Sequence, residues 1–74
     1  MREFEQEFKM LGLKVAFYRK LYGLTQEQLA ERMGVATSYI GQIEAPGIYK
    51  PISMTTLFRI AQALNTPPNK FLEF

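Results

Sequence analysis

The stretch Gly23-Leu24-Thr25-Gln26-Glu27-Gln28-Leu29-Ala30-Glu31-Arg32-Met33-Gly34-Val35-Ala36-Thr37-Ser38-Tyr39-Ile40-Gly41-Gln42-Ile43-Glu44 decides the fold. It reads as two short helices joined by a tight turn at Gly34. Thr25 and Gln28 form a Thr-x-x-Gln capping box, in which hydroxyl and amide each serve a backbone donor that the first helical turn leaves unpaired. Leu29, Ala30 and Met33 give that helix an apolar face. Gly34 can take the left-handed conformation that ends a helix, and Val35 plugs the corner. Ile40 and Ile43 are three apart, so they share one face of the second helix. Thr37, Ser38, Gly41 and Gln42 occupy the other face. It is small, polar and uncharged, which suits a helix whose outer side meets a partner rather than plain water.

On the N-terminal side, Phe4, Phe8, Leu11, Val15, Tyr18 and Tyr22 recur at alternating steps of four and three, a helical stripe. Gly12 interrupts it at a cost of about 1 kcal/mol against Ala. The expectation is a helix over 12–21, with the residues before it either continuous with it or a separate turn. Met10, Leu13, Phe17 and Leu21 form a second stripe on the same segment. Two stripes mean either a deeply buried helix or a helix with a partner surface. Gly23 ends the segment.

On the C-terminal side, the run Ala45-Pro46-Gly47-Ile48-Tyr49-Lys50-Pro51-Ile52 is a loop, since two prolines and a glycine punctuate it. Ser53 is a good N-cap. Leu57, Ile60, Ala61 and Leu64 make the core face of the helix it opens, and Asn65 suits its C-terminal end. Pro67 and Pro68 restart the chain where a first helical turn tolerates proline. Phe71, Leu72 and Phe74 belong to a last short helix. The reading is five helices with short connections and no convincing strand, an all-α, compact five-helix bundle.

A chain of 74 residues forms one domain at most. It has neither Cys nor His, which removes disulfides and the common zinc sites. No apolar run approaches the roughly 20 residues a spanning helix needs, and no signal peptide is seen. A cytoplasmic location with no membrane association is expected. The net charge is +2 but uneven, because Glu3, Glu5 and Glu7 crowd the start. From residue 8 onward Lys9, Lys14, Arg19, Lys20, Arg32, Lys50, Arg59 and Lys70 face only Glu27, Glu31, Glu44 and Glu73, a mild pointer to an anionic partner. Six Phe and four Tyr exceed what so small a core hides easily, so a contact surface is expected among them. No convergent acid pair or Gly-rich phosphate loop is present, and an enzyme, a cofactor or a metal site is not expected.

Leu24-Thr25-Gln26-Glu27-Gln28-Leu29-Ala30, Gly34-Val35, Ile40, Ile43-Glu44, Pro51 and the Leu57, Ala61, Leu64 set together resemble the lambda repressor-like helix-turn-helix family of the Cro and Xre type. The likeness covers residues 11–74, and its strength is that many positions agree in order and spacing. The step from Glu44 to Pro51 is similar to the loop of SinR-type regulators, whose helix-turn-helix also carries a pair like Ser38-Tyr39. The resemblance implies an N-terminal extension over 1–10, helical or not, and a DNA-binding domain over 11–74 with its helix-turn-helix at about 25–44. It implies a third helix lying in the major groove of double-stranded DNA. Carried onto this chain, it places Thr37, Ser38 and Gln42 toward base edges, and Gln26, Tyr39, Tyr49 and Lys50 toward the DNA backbone. It makes Arg19 and Glu44 a structural ion pair. Ala36 departs from the family's capping residue, which leaves the start of the third helix at either of two positions, and Gly41 departs in mid-helix.

The chemistry of these side chains suits such roles. Gln42 can present a bidentate amide to adenine, and hydroxyls like those of Thr37 and Ser38 serve either base type or phosphate. The implied function is a sequence-specific transcriptional regulator, a repressor acting as a homodimer on an inverted repeat. The alternative is an antitoxin-like or adaptor module that uses the same fold to bind protein. The aromatic side chains of Phe4, Phe8, Phe17 and Phe74 favour some protein partner, a second copy included.

Overall fold

Glycines in the left-handed conformation set the corners of the fold. In the computed structural model, which describes residues 2–74, helix α1 runs Glu5–Tyr22 and stops at Gly23, whose φ is 90°. The Gly23 and Leu24 amides both donate to the Arg19 carbonyl, closing the helix end in a Schellman-type turn. Helix α2 spans Gln26–Met33 and ends the same way at Gly34, φ 70°, with the Val35 amide donating to the Ala30 carbonyl. Helices α3 and α4 span Thr37–Glu44 and Met54–Ala63. After α4 the left-handed residue is Asn65, φ 49°.

The capping chemistry read from the sequence is in place at two helices. The Thr25 hydroxyl accepts from the Gln28 amide at 3.0 Å, and the Gln28 side chain accepts from the Thr25 amide at 2.9 Å. Ser53 caps α4 by accepting from the Thr56 amide at 3.1 Å. Helix α3 has no such device. Ala36 stands at its N-cap with an extended backbone and no capping side chain, so Thr37 is the first helical residue.

One expectation is corrected, and one open alternative is decided. Among the described residues there are four α-helices, not five: the last short element, Pro68–Leu72, is a 3-10 helix. Pro67 and Pro68 lack backbone donors, and the segment is too short to establish an i→i+4 ladder. Its first bond is the tighter one from the Lys70 amide to the Pro67 carbonyl. Phe74 lies beyond this element rather than in it. Of the two alternatives left open for the residues before 12–21, the structure has the continuous one. It is continuous from Glu5, so most of the expected extension over 1–10 forms its opening turns; Met1, the first residue of that extension, lies outside the described residues.

Gly12 explains how α1 passes through a glycine without breaking. A Cβ built there would collide with the Ile43 carbonyl oxygen and lie 3.2 Å from its carbon and 3.6 Å from the Glu44 Cα. The backbones of α1 and α3 are in direct contact at this point, and only glycine fits between them. Leu11 and Val15 on α1, Leu29 on α2, Ile40 on α3 and Ile60 on α4 meet in one core. Phe71 closes it, fully buried, and fully burying a side chain of that size contributes about 1.5–3 kcal/mol. Met10, Leu13, Phe17 and Leu21, the second stripe of α1, are exposed. Of the two readings of that stripe, burial is therefore removed.

This packing reverses the usual sign of a helix substitution. Gly12→Ala gains about 1 kcal/mol of intrinsic helix propensity. Overpacking at the α1–α3 contact outweighs that gain, for a net loss of about 1–3 kcal/mol. Urea unfolding of the variant checks this, and a net gain in stability would show that the two backbones do not touch.

Candidate nucleic-acid interface

The candidate reading face is built on α3. Successive helical residues step by about 100° around the axis, which sets Thr37, Gly41, Ser38 and Gln42 within one arc of about 140°. Ile40 and Ile43 point the other way and are buried. Thr37, Ser38 and Gln42 are exposed, so the structure brings together on one open surface the three residues assigned to base edges. The first-turn amides of α3, without a capping side chain, add donors at the Thr37–Ser38 end, where the helix dipole also favours an anion.

A polar clasp fixes the far end of the same helix. Arg19 Nε donates to Glu44 Oε2 at 2.7 Å, and Nη2 donates to Glu44 Oε1 at 2.9 Å, a bidentate pair with both residues 7% exposed. The third guanidinium nitrogen, Nη1, donates to the Leu24 carbonyl at 2.7 Å. Gln26 Nε2 donates to Glu44 Oε1 at 3.0 Å. One carboxylate thus gathers the end of α1, the start of α2 and the end of α3. The sequence offered no signal for the Leu24 carbonyl as the third acceptor, because any backbone carbonyl could have served. Among the described residues no buried side-chain nitrogen or oxygen lacks a partner.

Gln26 is half-buried at the first turn of α2, and its Oε1 lies 3.6 Å from where a Cβ on Gly41 would sit. That is ordinary contact distance, so nothing inside the protein demands glycine at 41. Tyr39 is half-buried with its ring under the Lys50 ammonium, 5.4 Å from Nζ to the ring centre. Its hydroxyl is 3.5 Å from Thr56 Oγ1, too long for a strong bond. Tyr39 and Lys50 therefore form one unit, with the cation held beside the reading helix.

Tyr49 sits apart from that unit. Its hydroxyl donates to the Glu3 carbonyl at 2.9 Å, and its ring meets Phe8 edge-on at 6.3 Å between centres. The Arg2 guanidinium lies 5.5 Å above the same ring. Tyr49 ties the loop to the start of α1, and its hydroxyl is already engaged. Arg2 is the residue that sequence reasoning missed here. No periodicity links it to a position so distant along the chain.

An exposed, uncharged helix face braced by a buried ion pair and preceded by a glycine turn defines a helix-turn-helix DNA-binding domain. Comparison with known proteins agrees. A family model described as "Helix-turn-helix" matches residues 15–71, and the chain belongs to this Cro/Xre-like family of DNA-binding transcription regulators, not of enzymes. It is 39% identical over 64 residues to the control protein C.SmaI of Serratia marcescens, covering 86% of this chain and 74% of that one. It is 45% identical over 49 residues to an uncharacterised helix-turn-helix transcriptional regulator of Methanocaldococcus jannaschii, covering 66% and 71%. Its structure resembles the restriction-modification controller protein C.AhdI of Aeromonas hydrophila, with a TM-score of 0.80, 27% identity and coverage of 89% and 97%. It also resembles a hypothetical transcription factor of Neisseria, with a TM-score of 0.79, 25% identity and coverage of 92% and 75%. Among the described residues no helix is long and apolar enough to cross a membrane.

The clasp sets a measurable expectation. Glu44→Ala strands the Arg19 guanidinium in a buried site and lowers stability by about 3–5 kcal/mol. Glu44→Gln loses less, because its amide oxygen still accepts from Arg19. Denaturant unfolding checks both, and a loss under about 1 kcal/mol for Glu44→Ala would show that the pair does not brace the fold.

Proposed function

We propose that this protein is a sequence-specific transcriptional regulator that reads double-stranded DNA with α3 in the major groove. In this reading it is a cytoplasmic repressor bound as a homodimer to an inverted repeat. The observation that carries it is the exposed face of Thr37, Ser38 and Gln42 on a helix held by the Glu44 clasp. Gln42 offers an amide to a base edge, a contact of about 1–3 kcal/mol in discrimination. Thr37 and Ser38 contact bases or the adjoining phosphate, together with the free amides at the start of α3. Lys50 on its Tyr39 platform and Gln26 at the start of α2 hold the flanking backbone. Such contacts fix register without carrying sequence information directly. The likeness to two controller proteins makes the promoter of a restriction-modification gene pair the first operator to test.

Selection of bound duplexes from a random pool tests the reading and yields half-site and spacing together. Gln42→Ala weakens the selected site and relaxes preference at one base pair. Lys50→Ala weakens all duplexes alike and lowers the salt slope by about one. Unchanged affinity in both variants would show that α3 does not carry the reading face.

For the homodimer, the surface that fits a second copy is an apolar groove of about 280 Å³ at one end of the molecule. Phe4, Phe8, Ile52, Met54, Leu72 and Phe74 line it, and Glu7 and Ser53 supply its polar lining. Its lining includes Ile52 and Ser53 of the loop that joins α3 to α4, so pairing there brings together the connections that follow the two α3 helices. Half-sites about 34–36 Å apart follow for such two-fold binding. Met54→Glu places a charge in the groove while suiting the first turn of α4. The variant is expected to sediment as a monomer at micromolar concentration and to bind a full inverted repeat no better than a half-site. A dimer that survives this substitution, or a wild-type protein that stays monomeric on and off DNA, overturns the assignment.

A further inference from the structure

Helix α1 carries an apolar stripe that neither the core, the groove nor the reading face uses. Leu13, Phe17 and Leu21 are 53%, 57% and 71% exposed, and Met10 adjoins them at 38%. At about 100° per residue the four fall within an arc of about 80° and extend over about 16 Å, three helical turns. Gly12, which touches α3, lies about 180° around the axis from Leu21. The stripe therefore faces away from the reading helix. Phe17 is held in place: its ring meets Tyr18 edge-on at 5.0 Å, and Tyr18 packs at 5.2 Å on the buried Phe71.

The rim of the stripe says what covers it. Lys14 flanks one side and Lys20 the other, and among the described residues neither has a carboxylate within ion-pair distance. A second copy is a poor occupant. Two-fold antiparallel pairing about Phe17 sets Leu13 of one copy beside Leu21 of the other, but it keeps each flank on its own side, so the Lys14 rims of the two copies meet, and so do the two Lys20 rims, like charge toward like. A planar anionic membrane laid on the stripe would also meet Glu7, which shares the Lys14 flank one turn before the stripe begins, whereas a helix spanning Met10 to Leu21 ends short of it. Leu13, Phe17 and Leu21 form an i, i+4, i+8 ridge of the kind that packs into the groove of another helix.

We propose that this stripe is a docking face for an amphipathic helix of another protein, apolar along one side with acidic residues flanking it, bound on the side of α1 opposite the DNA-reading helix. Phe17 is the central anchor, Leu13 and Leu21 its neighbours on the ridge, and Lys14 and Lys20 pair with the acidic flanks. Recognition is polar at the rim and apolar at the centre, as in helix-in-groove binding.

The test uses the full chain and two designed peptides of about three to five turns. They share a leucine stripe and differ only in carrying Glu or Lys on the flanks. In a fluorescence anisotropy titration the Glu-flanked peptide is expected to bind saturably and at least about tenfold more tightly, a difference of about 1.4 kcal/mol. Phe17→Ser with Leu21→Ser abolishes that binding, and circular dichroism reports whether the fold is retained, as expected for exposed sites. Lys14→Glu with Lys20→Glu, in an otherwise unchanged stripe, reverses the preference toward the Lys-flanked peptide. Equal binding of the two peptides overturns the proposal, as does binding that survives loss of Phe17 and Leu21. Tighter association with phosphatidylglycerol vesicles than with the peptide would assign the stripe to a membrane surface. A drop in sedimentation coefficient in the Phe17→Ser, Leu21→Ser variant would assign it to a second copy.

Discussion

The Arg19–Glu44 pair is the interaction on which the rest of the structure depends. Both groups are nearly inaccessible to water, and a buried charge is tolerable only if its hydrogen-bonding capacity is met. Here it is met by geometry that three separate segments must supply at once. The Leu24 carbonyl reaches Nη1 only if Gly23 turns the chain through its left-handed conformation. Gln26 reaches Glu44 only if α2 begins where the Thr25 capping box starts it. Glu44 reaches Arg19 only if α3 ends beside α1. The clasp is thus less a source of net stability than a condition that few arrangements of these helices satisfy. It converts local turn chemistry into a fixed attitude of α3.

The contact at Gly12 constrains the same end of α3 from the same face of α1. With no side chain at that position, α1 and α3 approach until backbone meets backbone, and the Ile43 carbonyl fills the space a Cβ would take. A rigid contact at one point and a bidentate pair two helical turns along α1 leave α3 little freedom to rotate. Rotation of a reading helix by one residue's worth of arc would replace most of its outer face. Positional precision of that kind is what a sequence-reading helix needs, because discrimination at a base edge is lost with small displacements.

Much of this was legible in the sequence because it rests on local rules. The capping box at Thr25, the cap at Ser53, the turn at Gly34 and the paired isoleucines of α3 each follow from the preferences of a few neighbouring residues. The outer face of Thr37, Ser38 and Gln42 followed from helical spacing alone. What was not legible depends on partners far along the chain. Gly12 reads locally as a weak point, and only the approach of Ile43 shows why it is required. Tyr49 reads as a loop aromatic near the reading helix. Its engagement by Glu3 and Phe8 rests on α1 starting at Glu5, which the glycine at 12 had obscured. The 3-10 form of the last element turns on two missing donors at Pro67 and Pro68 in a segment too short to compensate.

Helix α3 has little intrinsic tendency to be a helix. It has eight residues, no capping side chain at Ala36 and a glycine at 41 that no internal contact demands. An isolated helix of that length is marginal in water even with favourable composition. It persists because Ile40 and Ile43 are buried and Glu44 is clasped, and all three lie outside the arc of Thr37, Ser38, Gly41 and Gln42. The residues that hold the helix and the residues that would read DNA are therefore disjoint sets on one short element. Changes confined to the outer arc leave the fold largely intact, and on the proposed reading they would act on recognition, whereas changes at 40, 43 or 44 act on the fold first. The same separation recurs on α1, where the side that meets α3 carries Gly12 and the opposite side carries the exposed stripe. In a domain this small, surface not needed by the core lies on the outer faces of the helices the core holds in place, and there it can serve partners independently of stability.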